Sequence, residues 1–156
     1  GFDNIWNGRA YRRHRGSATK DPTNPSNHVF RPAYQSYGEF FSQPVKQSGN
    51  IVVKFQYFGT EDLAGGCIGY SSVEELYWEK WVFCDAQSWY AENIMDSNNE
   101  WIDCQFEVPL NEFRIVLGDR RSNGDAYFDN IQVGSGSGTF CGPEVYIEEK
   151  TPPGQL

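Results

Sequence analysis

The sequence predicts an all-β chain: one antiparallel β-sandwich of jelly-roll type, with about eight strands and long loops. Three observations carry this. Aromatic residues make up 16% of the 156 positions, with five Trp, nine Tyr and eleven Phe, and Gly is frequent. That is the vocabulary of strands and turns rather than of helices. Alternating apolar and polar runs recur along the chain between clusters of turn formers, without a clear amphipathic helix. The stretch 113–133 reads as two strands joined through Ser122-Asn123-Gly124-Asp125, whose Asn-Gly pair supplies the positive φ of tight hairpins.

The elements follow in order. Residues 2–6 are a short strand. Residues 7–32 are polar and basic and are interrupted by Pro22, Pro25 and Pro32, so a long surface excursion is expected there. Residues 37–45 form a strand that ends at Pro44, and 47–50 a turn. Residues 51–58 are the strongest strand, with Val53, Phe55 and Tyr57 on one face and Val52, Lys54 and Gln56 on the other. A loop over 59–66 leads to strands at 67–70 and 76–84. The composition of 74–80 would suit a helix, but the adjoining Trp81-Val82-Phe83-Cys84 favours a strand. Residues 85–100 are a second long polar loop, carrying Trp89 and Tyr90. The 101–109 strand alternates Ile102, Cys104, Phe106 and Val108 with Asp103, Gln105 and Glu107. In the closing strand, 126–133, period two puts Tyr127, Asp129, Ile131 and Val133 on one face. Asp129 is therefore expected to point inward, where a carboxylate needs a partner or a metal. The Gly-Ser run 134–138 is expected to be flexible, ending at the fixed point of Cys141. Residues 1–147 read as one domain and 148–156 as a tail or linker.

Charge and cysteines bound the function. A net charge of −8 argues against nucleic acid as a partner, since phosphate-binding surfaces carry a basic excess. The basic run Arg12-Arg13-His14-Arg15 reads as a solvated loop or a local salt-bridge partner, with an anionic-glycan patch as the alternative. No apolar run is long enough to span a membrane as a helix. Cys67, Cys84, Cys104 and Cys141 contain no CxxC pair and no neighbouring His at metal-ligand spacing, so two disulfides and an oxidising, extracellular compartment are expected. Three pairings are open to four cysteines. Proximity along neighbouring strands favours Cys67–Cys84 and Cys104–Cys141. An opening Gly1 without a visible signal peptide suits a processed or excised extracellular segment.

Phe2-Asp3, Gln43-Pro44-Val45, Phe55 and Tyr57, Trp101, Phe106, Val108-Pro109 and Tyr127-Phe128-Asp129-Asn130-Ile131 together resemble two groups. One is the MAM domains of cell-surface proteins. The other is the jelly-roll carbohydrate-binding modules of polysaccharide-degrading enzymes. Both are antiparallel β-sandwiches with an aspartate before an apolar residue in the final strand. A MAM domain carries an early cysteine pair, whereas no cysteine here precedes Cys67. The resemblance implies a structural calcium held by Asp3 of the opening strand and Asp129 of the closing one, with Glu39 as a third carboxylate. The competing reading of Asp129 is a hydrogen-bonded carboxylate or an ion pair with an arginine such as Arg114.

Catalytic signals are poor. His14 and His28 are the only histidines, and no nucleophile elbow, zinc-protease motif or phosphate loop occurs. The expectation is a non-catalytic interaction or adhesion module of the MAM kind, binding a protein partner or self-associating. The alternative is a carbohydrate-binding module. For that alternative the aromatics are the candidates, because a flat ring packs on the apolar face of a sugar. Trp78 and Trp81 lie three apart on opposite strand faces, so one is core and the other, with Tyr77, is a platform. Trp89 and Tyr90 in the long loop are alternative platform residues.

Overall fold

The computed structural model describes residues 3–4, 16–32, 38–60, 64–74, 80–85, 91–119 and 125–142. Among these the chain is all strand and loop. The strands are β1 (Asp3–Asn4), β2 (Gly16–Asp21), β3 (Asn24–Pro32), β4 (Gly38–Phe41), β5 (Val45–Lys46), β6 (Ile51–Gly59) and β7 (Gly66–Ser71). They continue with β8 (Lys80–Asp85), β9 (Asn93–Met95), β10 (Ile102–Val108), β11 (Glu112–Asp119), β12 (Ala126–Ser135) and β13 (Phe140–Cys141). The β-sandwich expected from the sequence is what forms. A seven-stranded sheet runs β13-β10-β6-β12-β3-β2, with β1 also on β12. A six-stranded sheet runs β4-β11-β7-β8-β9, with β5 also on β11. All pairs are antiparallel except β8 with β9.

The core lies between the sheets and is built by period-two alternation. Val53, Phe55 and Tyr57 of β6, Phe106 and Val108 of β10, and Phe128, Ile131 and Val133 of β12 face Ile68, Phe83, Phe113, Ile115 and Leu117 of the opposite sheet. Phe55 sits at the centre, with ring centroids 6.0 Å from Phe83 and 6.1 Å from Phe106 and from Phe128. Such edge and tilted pairs add about 0.5–1.5 kcal/mol each beyond their buried area. A second apolar cluster, Phe41, Cys67, Trp81, Cys84 and Val116, belongs to the other face of the six-stranded sheet.

Both disulfides join residues directly opposite on paired strands: Cys67–Cys84 across β7 and β8, Cys104–Cys141 across β10 and β13. Beside the first, a bulge lets β7 and β8 approach so closely that a Cβ on Gly69 would lie 1.9 Å from the Lys80 carbonyl oxygen. Only glycine fits there.

Two expectations are corrected. Residues 16–32 are not a surface excursion: β2 and β3 form a hairpin that extends the seven-stranded sheet, and Val29 and Phe30 are buried. Its prolines are tolerated because β3 meets β12 only at Phe30↔Phe128, and because Pro25 lies in a bulge of the β2–β3 register. The Gly-Ser run is not floppy. Gly134 and Ser135 finish β12, Gly136 N–H donates to the Asn50 carbonyl at 3.1 Å, and the Gln105 amide donates to the carbonyls of Ser137 and Gly138 at 2.8 and 3.1 Å. Residues 148–156 lie outside the described residues.

Candidate functional site: a groove on the seven-stranded sheet

Asp129 does not point into the core. β12 bulges between Asp129 and Gln132, with Asn130 at φ 49°, a left-handed conformation that Asn tolerates better than most residues. The extra residue breaks the alternation. Phe128 on one side and Ile131 and Val133 on the other stay in the core, while Asp129 shares the outer face with Tyr127. There its Oδ2 accepts a hydrogen bond from the Asn27 side-chain amide at 3.0 Å. In the backbone register Asp3 lies opposite Val133, four positions along β12, and Glu39 lies opposite Gly118 in the other sheet. The side chains of Asp3 and Glu39 lie outside the described ones. Among the described residues no three His, Cys, Asp or Glu side chains gather at metal-binding distance.

The outer face that Asp129 joins carries polar side chains in cross-strand rows. Gln56 of β6 is flanked by Asp103 of β10 and Asp129 of β12, and Lys54 by Gln105 and Gln132. The Asn130 amide donates to Gln56 Oε1 at 2.6 Å, and Gln56 Nε2 donates to Asp103 Oδ1 at 3.1 Å. Lys54, Gln56, Asp103, Gln105, Asn130 and Gln132 floor an open groove of about 790 Å³. Trp101 and Glu100 close one end, and Phe140 and Gly142, on and after β13, line the other side.

Each wall is anchored. On the β13 side stand the Cys104–Cys141 disulfide and the bond from Gly142 N–H to the Asp103 carbonyl at 2.9 Å. At the Trp101 end, the turn before β10 is fastened to β6. Ser97 Oγ accepts the Gly59 N–H at 2.9 Å, and Asn99, at φ 66°, donates its N–H to the Gly59 carbonyl at 2.7 Å. The Trp101 ring packs on Phe58, with centroids 5.4 Å apart, and Phe58 packs in turn on Tyr127. The Trp101 indole N–H reaches the tip of the β2–β3 hairpin, where Asp21 Oδ1 and Thr23 Oγ1 accept it at 3.2 and 3.1 Å.

Asp21 is only 8% exposed. Burial pushes its carboxyl up, but the Thr23 N–H, the Thr23 hydroxyl, the Asn27 amide and the Trp101 indole all donate to it and outweigh burial, holding its pKa at about 2. It is an anion at any ordinary pH.

The aromatic candidates are placed differently. Trp81 is 6% exposed and packs with Phe41, Cys67, Cys84 and Val116, so it presents no stacking face. Tyr77, Trp78, Trp89 and Tyr90 lie outside the described residues. The groove residues Gln56, Trp101, Asp103 and Asn130 are absent from the sequence-derived candidates. The signal for Gln56 and Asp103 is the polar alternation of 51–58 and 101–109, which marks a sheet face rich in amides and carboxylates.

No protein-family model matches the chain, and no curated protein matches it significantly. Among solved structures, it is similar to the K3 cleaved adhesin domain of Lys-gingipain from Porphyromonas gingivalis, with a TM-score of 0.55 and 8% identity over 86% of this chain and 98% of that one. It is also similar to a family 16 carbohydrate-binding module, with a TM-score of 0.48 and 15% identity over 85% of this chain and 100% of that one. At such identities the adhesin-domain match establishes a shared β-sandwich fold and nothing finer.

Proposed function

We propose that this domain is a non-catalytic extracellular binding module and that a glycan lies in the groove on its seven-stranded sheet. The observation that carries this is the polar row Asp103–Gln56–Asn130 beside Trp101. A saccharide offers hydroxyls that both donate and accept, together with flat C–H faces. Amides and carboxylates answer the first, because amides do both and carboxylates accept in pairs. An indole ring answers the second. The two disulfides suit an oxidising compartment. That the fold is shared with an adhesin domain supports a binding role.

Titration calorimetry and affinity electrophoresis with neutral polysaccharides test this. Binding should be present in the full chain and weakened about 10-fold or more in Gln56→Ala and Asp103→Ala, the loss expected when hydrogen bonds at a polar site are removed. A full glycan panel without a hit, or binding unchanged in the double variant, overturns it.

A second reading, adhesion through a protein partner or through self-association, is favoured by Ile94. It is 61% exposed on β9, an edge strand of the six-stranded sheet among the described residues. An exposed apolar side chain on an edge strand invites strand pairing. Sedimentation velocity should then show concentration-dependent association that Ile94→Lys abolishes. A monomer at all concentrations would remove the self-association form of this reading.

A further inference from the structure

Trp101 stands out in the groove for what holds it. It lies just before β10, yet its indole N–H is bonded to residues about eighty positions earlier in the chain. β2 and β3 lie beyond β12 in the sheet, so the hairpin tip, tied to Asp129 of β12, and the Trp101 ring, packed on Phe58 of β6, meet across the sheet's outer face. The tip is itself built as a rigid acceptor. Asp21 Oδ1 takes both the N–H and the hydroxyl of Thr23 at 2.7 Å, and Asp21 Oδ2 takes the Asn27 amide at 3.2 Å. The same Asn27 amide bonds Asp129 on β12, which ties the tip down to the sheet.

We infer that the β2–β3 hairpin tip is a positioning device for the groove: Asp21 and Thr23 hold Trp101 by its only hydrogen-bonding group, leaving the carbon surface of the ring for the ligand. This rests on the groove being a glycan site. Two consequences follow. The indole is set before the ligand arrives, so no ordering cost is charged to binding. Fixing one such side chain in advance is worth roughly 2- to 12-fold in affinity. In addition, Trp101 can recognise its ligand only by stacking, because its N–H is already spent. The ligand unit at that end must present an apolar face, as a pyranose ring does, rather than a lone acceptor. Asp21 and Thr23 are positioning residues in this scheme, and Trp101 is the one that touches the ligand.

The test uses the full chain with Thr23→Val, Thr23→Ser, Asp21→Ala and Trp101→Ala, and the probes are a soluble β-glucan, a mannan and a xylan. Hydrogen exchange of the Trp101 indole proton is read by NMR, and affinity by calorimetry. Wild type should bind at least one probe and exchange that proton slowly. Thr23→Val should speed exchange and weaken binding roughly 2- to 12-fold. Thr23→Ser, which keeps the hydroxyl, should restore both, a rescue that a role in stability alone would not give. Trp101→Ala should abolish measurable binding. If Asp21→Ala fails to fold, the Thr23 pair still decides the matter. If wild type binds a probe and Thr23→Val binds it equally well, the positioning role is wrong while the glycan reading stands. If wild type binds none of the three and no member of the full glycan panel, the glycan reading fails and this inference fails with it.

Discussion

Asp129 shows how one residue's role can turn on its neighbour's backbone. With strict alternation it would be a buried anion beside Ile131 and Val133. With Asn130 in the left-handed region it becomes a surface acceptor for Asn27. The Asp-Asn pair was visible in the sequence, but a bulge is fixed by pairing on both flanks, which a single strand does not reveal. Asp21 offers a pH test at the same scale. Its folded pKa of about 2 lies below the roughly 3.9 of an unfolded Asp, so its contribution is complete above about pH 4 and is lost as pH falls through about 2. Tryptophan fluorescence, with Trp101→Phe to assign the signal, should report loosening at the hairpin tip across that window. Asp21→Asn should flatten that part of the profile. Tyr57 supplies a stability test. Burial, reinforced by the charge and hydrogen bond of Asp85, pushes its phenol well above the ordinary value. It stays protonated and donates to Asp85 Oδ2 at 2.6 Å in the core. Tyr57→Phe removes one donor from a buried carboxylate and should cost about 1.5–3 kcal/mol in urea unfolding, the range for hydrogen bonds to charged groups.

Among elements, β13 is the most dependent on covalent help. Two residues of strand give little ladder, so its place at the groove rests on the Cys104–Cys141 bond and on Gln105 beneath the Ser137 and Gly138 carbonyls. The sequence separations of 17 and 37 for the two disulfides correspond to about 3 and about 4 kcal/mol in the loop-closure model. Cys67→Ser/Cys84→Ser and Cys104→Ser/Cys141→Ser are therefore expected to lose similar stability. They should differ in function: only the second pair releases the wall that carries Phe140 and Gly142, so only it should weaken glycan binding. Equal affinities in the two folded variants would dissociate β13 from the site. The strands that formed where the sequence placed them, β6 and β10 above all, are those with clean alternation and two neighbours in the sheet. The β2–β3 hairpin was illegible because its prolines, read as breakers, sit at a turn, a bulge and a thinly paired flank. Only the sheet around them shows that the hairpin pairs despite them.

At the scale of the whole molecule, a sandwich has two outer faces, and charge helps to decide what each can receive. The net charge of −8 repels polyanions at long range, and the groove repeats that bias locally. Glu100 and Asp103 line it, Asp21 and Asp129 stand at its hairpin end, and Lys54 is the only cationic side chain among its described lining residues. A glycan bound there, as proposed, is held by hydrogen bonds to amides and carboxylates and by ring packing, which salt screens little, rather than by ion pairs. Two outcomes follow for the proposed activity. Affinity for a neutral polysaccharide should change less than about twofold between 50 and 500 mM salt, since no counterions are released on binding. A sulfated or uronic polysaccharide of the same backbone should bind more weakly, and raising the salt should narrow the gap. Paired titrations of a neutral glycan and its sulfated derivative measure both effects. Tighter binding of the sulfated form, lost as salt rises, would instead mean that the ligand is held by basic residues elsewhere on the chain and not by the amide and carboxylate rows of this groove.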